Sequence, residues 1–71
     1  MNYIYYLEDP ISDRKGALIR FDKETGEMCV YDFKKKKWEE NYEYLKIFYG
    51  AIEADPISPE EANKLIREND L

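Results

Sequence analysis

The stretch from Ala17 to Phe33 constrains this chain most. Residues 17–22 and 27–33 are two short runs rich in β-branched and aromatic side chains, and Lys23-Glu24-Thr25-Gly26 separates them. In the first run Ala17, Ile19 and Phe21 point one way, while Arg20 and Asp22 point the other. That alternation belongs to a sheet with one face toward water. Gly26 offers the left-handed position that a short hairpin loop uses. Residues 2–8, Asn-Tyr-Ile-Tyr-Tyr-Leu-Glu, have strand composition and end at Asp9-Pro10, where proline removes a ladder donor. Ser12 to Gly16 reads as a polar turn. The expected core of the molecule is therefore a three-stranded antiparallel meander at about 2–8, 17–22 and 27–33.

Two helices follow. Trp38, Tyr42, Leu45 and Tyr49 fall at i, i+4, i+7 and i+11, which predicts a helix over 39–49; tyrosine and phenylalanine are middling helix formers, so a strand is the alternative here. Glu39, Glu40 and Glu43 lie at its start, where the helix dipole favours negative charge, and Gly50 supplies the stop. Ser58-Pro59-Glu60-Glu61 combines an N-cap serine, proline at the first helical position and glutamate three residues after the cap. It predicts a helix over 59–69, with Ile57 stapled on Ala62, and with Ala62, Leu65 and Ile66 on the buried face. The expected fold class is α+β: the meander with both short helices packed on one face, in a single small domain over 1–71. The expected core is Ile4, Ile19, Phe21, Val30, Trp38, Leu45, Phe48, Ile57, Leu65 and Ile66. In a simple meander the first and third strands are edges, and a tyrosine-rich edge without proline invites strand addition. Asp-Pro-Ile-Ser occurs at 9–12 and again at 55–58, but the flanks differ, so the match reads as coincidence.

Composition excludes several functions. The 71 residues include no His and one Cys, so histidine triads, histidine-ligated metals, internal disulfides and cysteine zinc sites are absent. No apolar run approaches the ~18 residues of a membrane span. The N-terminus lacks the basic start and apolar stretch of a signal peptide. A single free thiol suits the cytoplasm, which is the expected location. Mean hydropathy is −0.79, yet 15% aromatic content argues for a folded chain.

No catalytic constellation assembles. Glu39/Glu40 and Glu60/Glu61 are adjacent pairs that would point ~100° apart on a helix, so neither converges on one substrate atom. Asp22 to Glu27 resembles the start of a calcium loop, but Gly26 falls one position early and Phe33 stands where the closing glutamate belongs. Cys29 sits mid-strand with no histidine to activate it. The three glycines, at 16, 26 and 50, form no phosphate loop. The expectation is a protein that is not an enzyme and uses no cofactor.

What remains is surface. The net charge of −5 is uneven, and Lys34-Lys35-Lys36-Lys37 is a basic knot between Phe33 and Trp38. Lysines beside Tyr31 and Trp38 could follow a phosphate backbone while a ring stacks on a base. They could equally form a solvated turn beside Glu39, Glu40 and Glu43. Three tyrosines at 3, 5 and 6 on a two-sided strand cannot all be core, and tyrosine is common at interface centres. The expected function is a protein–protein interaction module, a small adaptor or inhibitor with self-association among its partners. The alternative is a nucleic-acid accessory protein using Lys34–Trp38. The expected partner-binding residues are Tyr3, Tyr5, Tyr31, Lys34, Lys35, Lys36, Lys37 and Trp38, with no membrane contact.

Residues 27–67 combine a hairpin strand, Trp38-Glu39-Glu40-Asn41, an aromatic segment ending in Gly50, and Ile57-Ser58-Pro59-Glu60-Glu61-Ala62. This pattern resembles that of small uncharacterised bacterial and phage proteins. The resemblance implies a small α+β protein and carries no activity with it.

Overall fold

A computed structural model describes residues 3–9 and 16–68. It is an α+β arrangement built on a five-stranded, wholly antiparallel sheet. The strands are β1 (Tyr3–Glu8), β2 (Leu18–Asp22), β3 (Met28–Asp32), β4 (Lys37–Glu40) and β5 (Ala54–Ile57). Their order across the sheet is β4-β3-β2-β1-β5. A 3₁₀ helix, Tyr42–Tyr49, joins β4 to β5, and α1 (Pro59–Glu68) follows β5. The expected start at Asn2, most of the Ser12–Gly16 turn, residues 10–12 of the repeated tetrapeptide and the helix end at Asn69 lie outside the described residues.

The β2–β3 hairpin forms where expected. Asp22 Oδ1 accepts the backbone N–H of Glu24 at 2.8 Å and of Thr25 at 3.3 Å, and Gly26 takes φ +80°. The expected N-cap also forms: Ser58 Oγ accepts the Glu61 N–H at 3.1 Å, and the hydroxyl also lies within donating distance of Glu61 Oε1 at 3.4 Å. Ala62 in the first turns of α1 is fully buried, and the helix packs against β1.

The expected helix over 39–49 is corrected. Asp32 Oδ1 accepts the N–H groups of Lys34 and Lys35 at 2.9 and 3.1 Å, and Lys36 takes a left-handed φ of 57°. This tight reversal lays Lys37–Glu40 antiparallel on β3, with Trp38 opposite Tyr31. Trp38, Glu39 and Glu40 thus belong to a strand, where an aromatic cross-strand pair is favourable. Only Tyr42–Tyr49 coils, as an unusually long 3₁₀ run. Asn41 Oδ1 caps its start by accepting the Glu43 N–H at 3.1 Å, and Gly50 ends it at φ +76°.

β5 is the other element that differs. Its proline made the sequence read as a break, but Pro56 sits on an outermost strand, where a missing donor is tolerated. The edges are therefore β4 and β5, and the tyrosine-rich β1 is interior, between β2 and β5. Strand addition to β1 is ruled out by that pairing. Both true edges are four residues long.

Register places Tyr3, Tyr5, Leu7, Leu18, Arg20, Asp22, Cys29, Tyr31, Trp38, Glu40, Asp55 and Ile57 on one face. Ile4, Tyr6, Glu8, Ile19, Phe21, Met28, Val30 and Glu39 lie on the other. The 3₁₀ helix leans over this second face, where the Phe48 ring meets those of Phe21 and Tyr6 at 5.1 and 6.2 Å. The core differs from the expected one. Among the described residues the buried apolar ones are Leu18, Ile19, Met28, Cys29 and Ala62, so of the ten expected only Ile19 is among them. Phe48 is half exposed. With strands wet along parts of both faces, the enclosed sheet residues are aliphatic and sulfur-bearing side chains of β2 and β3, and Ala62 joins them from α1.

Among the described residues Glu8 is the buried charged one, at 3% exposure. Its N–H donates to the Ala17 carbonyl at 2.9 Å, and its Oε1 accepts the Ala17 N–H at 3.1 Å. Gly16 passes so close to the Glu8 carbonyl that a Cβ would overlap it. Gly16→Ala should therefore destabilise the fold by about 2–3 kcal/mol through forced backbone displacement. The urea midpoint checks this.

At the β1–β5 end, the Asp9 N–H donates to the Glu53 carbonyl at 2.9 Å. Desolvation, reinforced by the Asp55 and Glu53 carboxylates, raises the pKa of Asp9. A carboxyl whose folded pKa exceeds its unfolded value favours folding when protonated, and that support is lost as pH rises through the folded pKa. Asp9→Asn should raise the melting temperature at pH 7 and lose the advantage below the ordinary aspartate pKa of ~3.9. Asp22 and Asp32 behave oppositely: backbone N–H donors, led by Glu24 for Asp22 and Lys35 for Asp32, hold them low. Their support is present at neutral pH and fades as pH falls through those depressed values.

Candidate functional site

The aromatic residues singled out from the sequence converge on the first face. Tyr3 and Tyr5 project from alternate positions of β1, Tyr31 from β3 and Trp38 from β4. Tyr5 and Trp38 belong to strands three spacings apart, about 14 Å in a flat sheet. Their ring centroids are nevertheless 6.0 Å apart. Twist and curl of the sheet, with both side chains leaning inward, close that gap.

The contacts run on without a break. Tyr3 meets Tyr5 edge-on at 6.3 Å, Trp38 meets Tyr31 at 5.2 Å, and Tyr31 meets Phe33 at 4.9 Å. All five rings are partly exposed. Leu18 lies on the same face and is 1% exposed. Edge-to-face pairs of this kind are worth ~0.5–1.5 kcal/mol each beyond their area.

Arg20 stands within this group. Its guanidinium carbon is 4.3 Å from the Tyr3 ring centroid and 4.6 Å from that of Trp38. Each such contact contributes ~0.5–2 kcal/mol, depending on desolvation. No described carboxylate reaches ion-pair distance of Arg20. Sequence reasoning assigned Arg20 to the polar face of its strand and went no further. The signal was register: hairpin pairing sets Arg20 opposite Cys29 and, on the other side, opposite Tyr5.

The four lysines stand apart from the rings in role. Lys34–Lys36 form the β3–β4 turn, and Lys37 opens β4; all four are exposed. Lys35 Nζ is 3.2 Å from Glu39 Oε1, an oxygen otherwise closed off from solvent. Exposed pairs of this kind add little stability. Lys37 points to the second face, away from Trp38, by strand alternation. Beside this turn lies an open cleft of about 390 Å³, lined by Val30, Tyr31, Phe33, Glu39 and Asn41 among others.

Among the described residues, no set of acid–base or nucleophilic partners accompanies the face. Glu39 and Glu40 project from opposite sides of β4, and Glu40 Oε2 accepts the Tyr42 hydroxyl at 3.4 Å. Burial and Glu40 raise the Tyr42 pKa. Among the described residues no His/Cys/Asp/Glu group is disposed to hold a metal ion, and no helix is long and apolar enough to cross a membrane. Cys29 is 4% exposed. Its thiol lies 3.5 Å from Glu27 Oε1, and burial, aided by that carboxylate, pushes its pKa up. A protonated, enclosed thiol is a poor nucleophile. Cys29 should resist a disulfide reagent at pH 7.5 in the native protein and react at the rate of a free thiol in urea.

No protein-family model matches the chain, and neither does any curated protein or solved structure.

Proposed function

We propose that this protein is a non-enzymatic protein-interaction module, a small adaptor or inhibitor, which engages its partner through the aromatic face of the sheet. One observation carries the reading: Tyr3, Tyr5, Tyr31, Phe33 and Trp38 form a continuous, partly exposed chain of rings around Arg20. Tyr, Trp and Arg are the residue types that dominate binding energy at interfaces, and they do so from packed, pre-ordered clusters. Rings that already brace one another lose little freedom when a partner lands on them. A role in binding also accords with the scattered placement of the carboxylates. The candidate edge is no longer β1, so contact through a sheet face replaces contact through a strand edge.

A second reading, nucleic-acid binding through Lys34–Trp38, has the exposed lysine turn beside Phe33 and Tyr31 in its favour. Flat ring faces are what single-stranded bases require. Here Arg20 covers a face of Trp38, and Tyr31 meets both its neighbours edge-to-face. The protein partner is therefore preferred.

Affinity capture from a lysate of the source cells, with the parent compared against Tyr3→Ala and Tyr31→Ala, tests the proposal. The expected outcome is a protein retained by the parent and depleted about thirtyfold by either substitution, the scale of an interface hot spot. Equal retention by folded variants, or no retained protein at all, would overturn it.

A further inference from the structure

We infer that the segment docking on the aromatic face is basic, a stretch of partner polypeptide that carries lysine or arginine among apolar side chains. The inference rests on the reading of this face as a protein-interaction surface and names the chemistry of its occupant.

Rings fill the middle of the face, and carboxylates border it. By register Asp22 of β2, Glu40 of β4 and Asp55 of β5 project to the same side as Tyr3, Tyr5, Tyr31 and Trp38. β4 and β5 are the outermost strands, so Glu40 and Asp55 stand at opposite margins, and both are exposed. Glu27, just before β3, reaches the same side, because its Oε1 lies 3.5 Å from the Cys29 thiol. Among the described strand residues, Arg20 is the one cation that register puts with them. Its charge is met inside the protein. The guanidinium lies over Tyr3 and Trp38 at 4.3 and 4.6 Å. It also acts on the Cys29 thiol and, secondary to the Glu24 and Thr25 N–H groups, on the Asp22 carboxylate. The lysine turn does not redress the balance. Lys35 pairs with Glu39 of the other face at 3.2 Å, and Lys37 alternates to that face.

The excess of negative charge is felt at both margins. Burial, and then the Glu40 and Glu27 carboxylates, raise the pKa of Tyr42 next to the end of β4. Burial, and then the Asp55 and Glu53 carboxylates, raise that of Asp9 beside β5. An apolar middle inside a rim of one sign favours a partner of the opposite sign and repels the wrong one. Lysine and arginine gain further from partly exposed tyrosine rings. An acidic segment, or a phosphate strand, meets like charge on both sides.

The test is titration of the whole chain with peptides of one design, Leu and Ser alternating with Lys, Gln or Glu, and with oligo-dT. Fluorescence of Trp38, the single Trp, reads binding, and backbone NMR shifts locate it. At low salt the Lys peptide should bind saturably, with shifts centred on Tyr3, Arg20, Tyr31 and Trp38. The Gln twin should bind at least about tenfold more weakly, and added salt should narrow that gap. Glu40→Gln combined with Asp55→Asn should weaken the Lys peptide about tenfold. Glu60→Gln combined with Glu68→Gln removes the same charge from α1 and should change binding less than about twofold. Melting verifies the fold of both variants. Equal binding of the Lys and Gln peptides overturns the inference. So do equal losses in the two double variants, a stronger response to the Glu peptide or to oligo-dT, or shifts confined to the opposite face. If the Lys peptide fails while Tyr3→Ala still abolishes capture of a cellular partner, the basic occupant falls and the interaction face stands. If both fail, the face itself is wrong.

Discussion

Asp32 Oδ1 draws in the N–H groups of Lys34 and Lys35 at 2.9 and 3.1 Å. This small bonded turn determines most of what lies above the sheet. With it, Trp38 pairs with Tyr31 and is carried onto the same face as Arg20, Tyr3 and Tyr5. The lysines that look like a nucleic-acid signature are first of all the chain that turns here. Their cationic side chains also oppose the negative charge of Glu39, of which Lys35 makes a direct pair.

The face and the core depend on each other. Leu18 and Cys29 are enclosed on the side where the rings gather. Ile19 and Met28 are enclosed on the side where Phe48 of the 3₁₀ helix reaches Tyr6 and Phe21. A 71-residue chain cannot build a thick apolar layer. It uses aromatic side chains as thin lids on both sides of one sheet, and lids of this kind stay partly in contact with water. The residues that complete the fold are thereby the ones available to a partner.

Legibility in the sequence followed the range of the forces involved. The β2–β3 hairpin and the start of α1 are set within a few residues, by Asp22 with Gly26 and by Ser58 with Glu61, and both are visible directly. β4 was hidden because Trp38, Tyr42, Leu45 and Tyr49 imitate a helical stripe, whereas the decisive event is a turn before them. β5 was hidden by Pro56, which is acceptable only because the strand is outermost. Tyr3, Tyr5, Tyr31 and Trp38 were named as surface from residue type alone, and they come together. Arg20 was not named, since only the pairing of three strands reveals that its side chain meets rings on either side.

The two border strands, four residues each, bear on how this protein behaves in a crowded solution. β4 is mostly charged, and β5 is interrupted by Pro56, so neither offers a long ladder for another sheet to extend. Display of sticky rings normally carries a hazard of fibrous growth. Here both described margins are poor templates for growth along the sheet, which favours contact across the flat of the molecule.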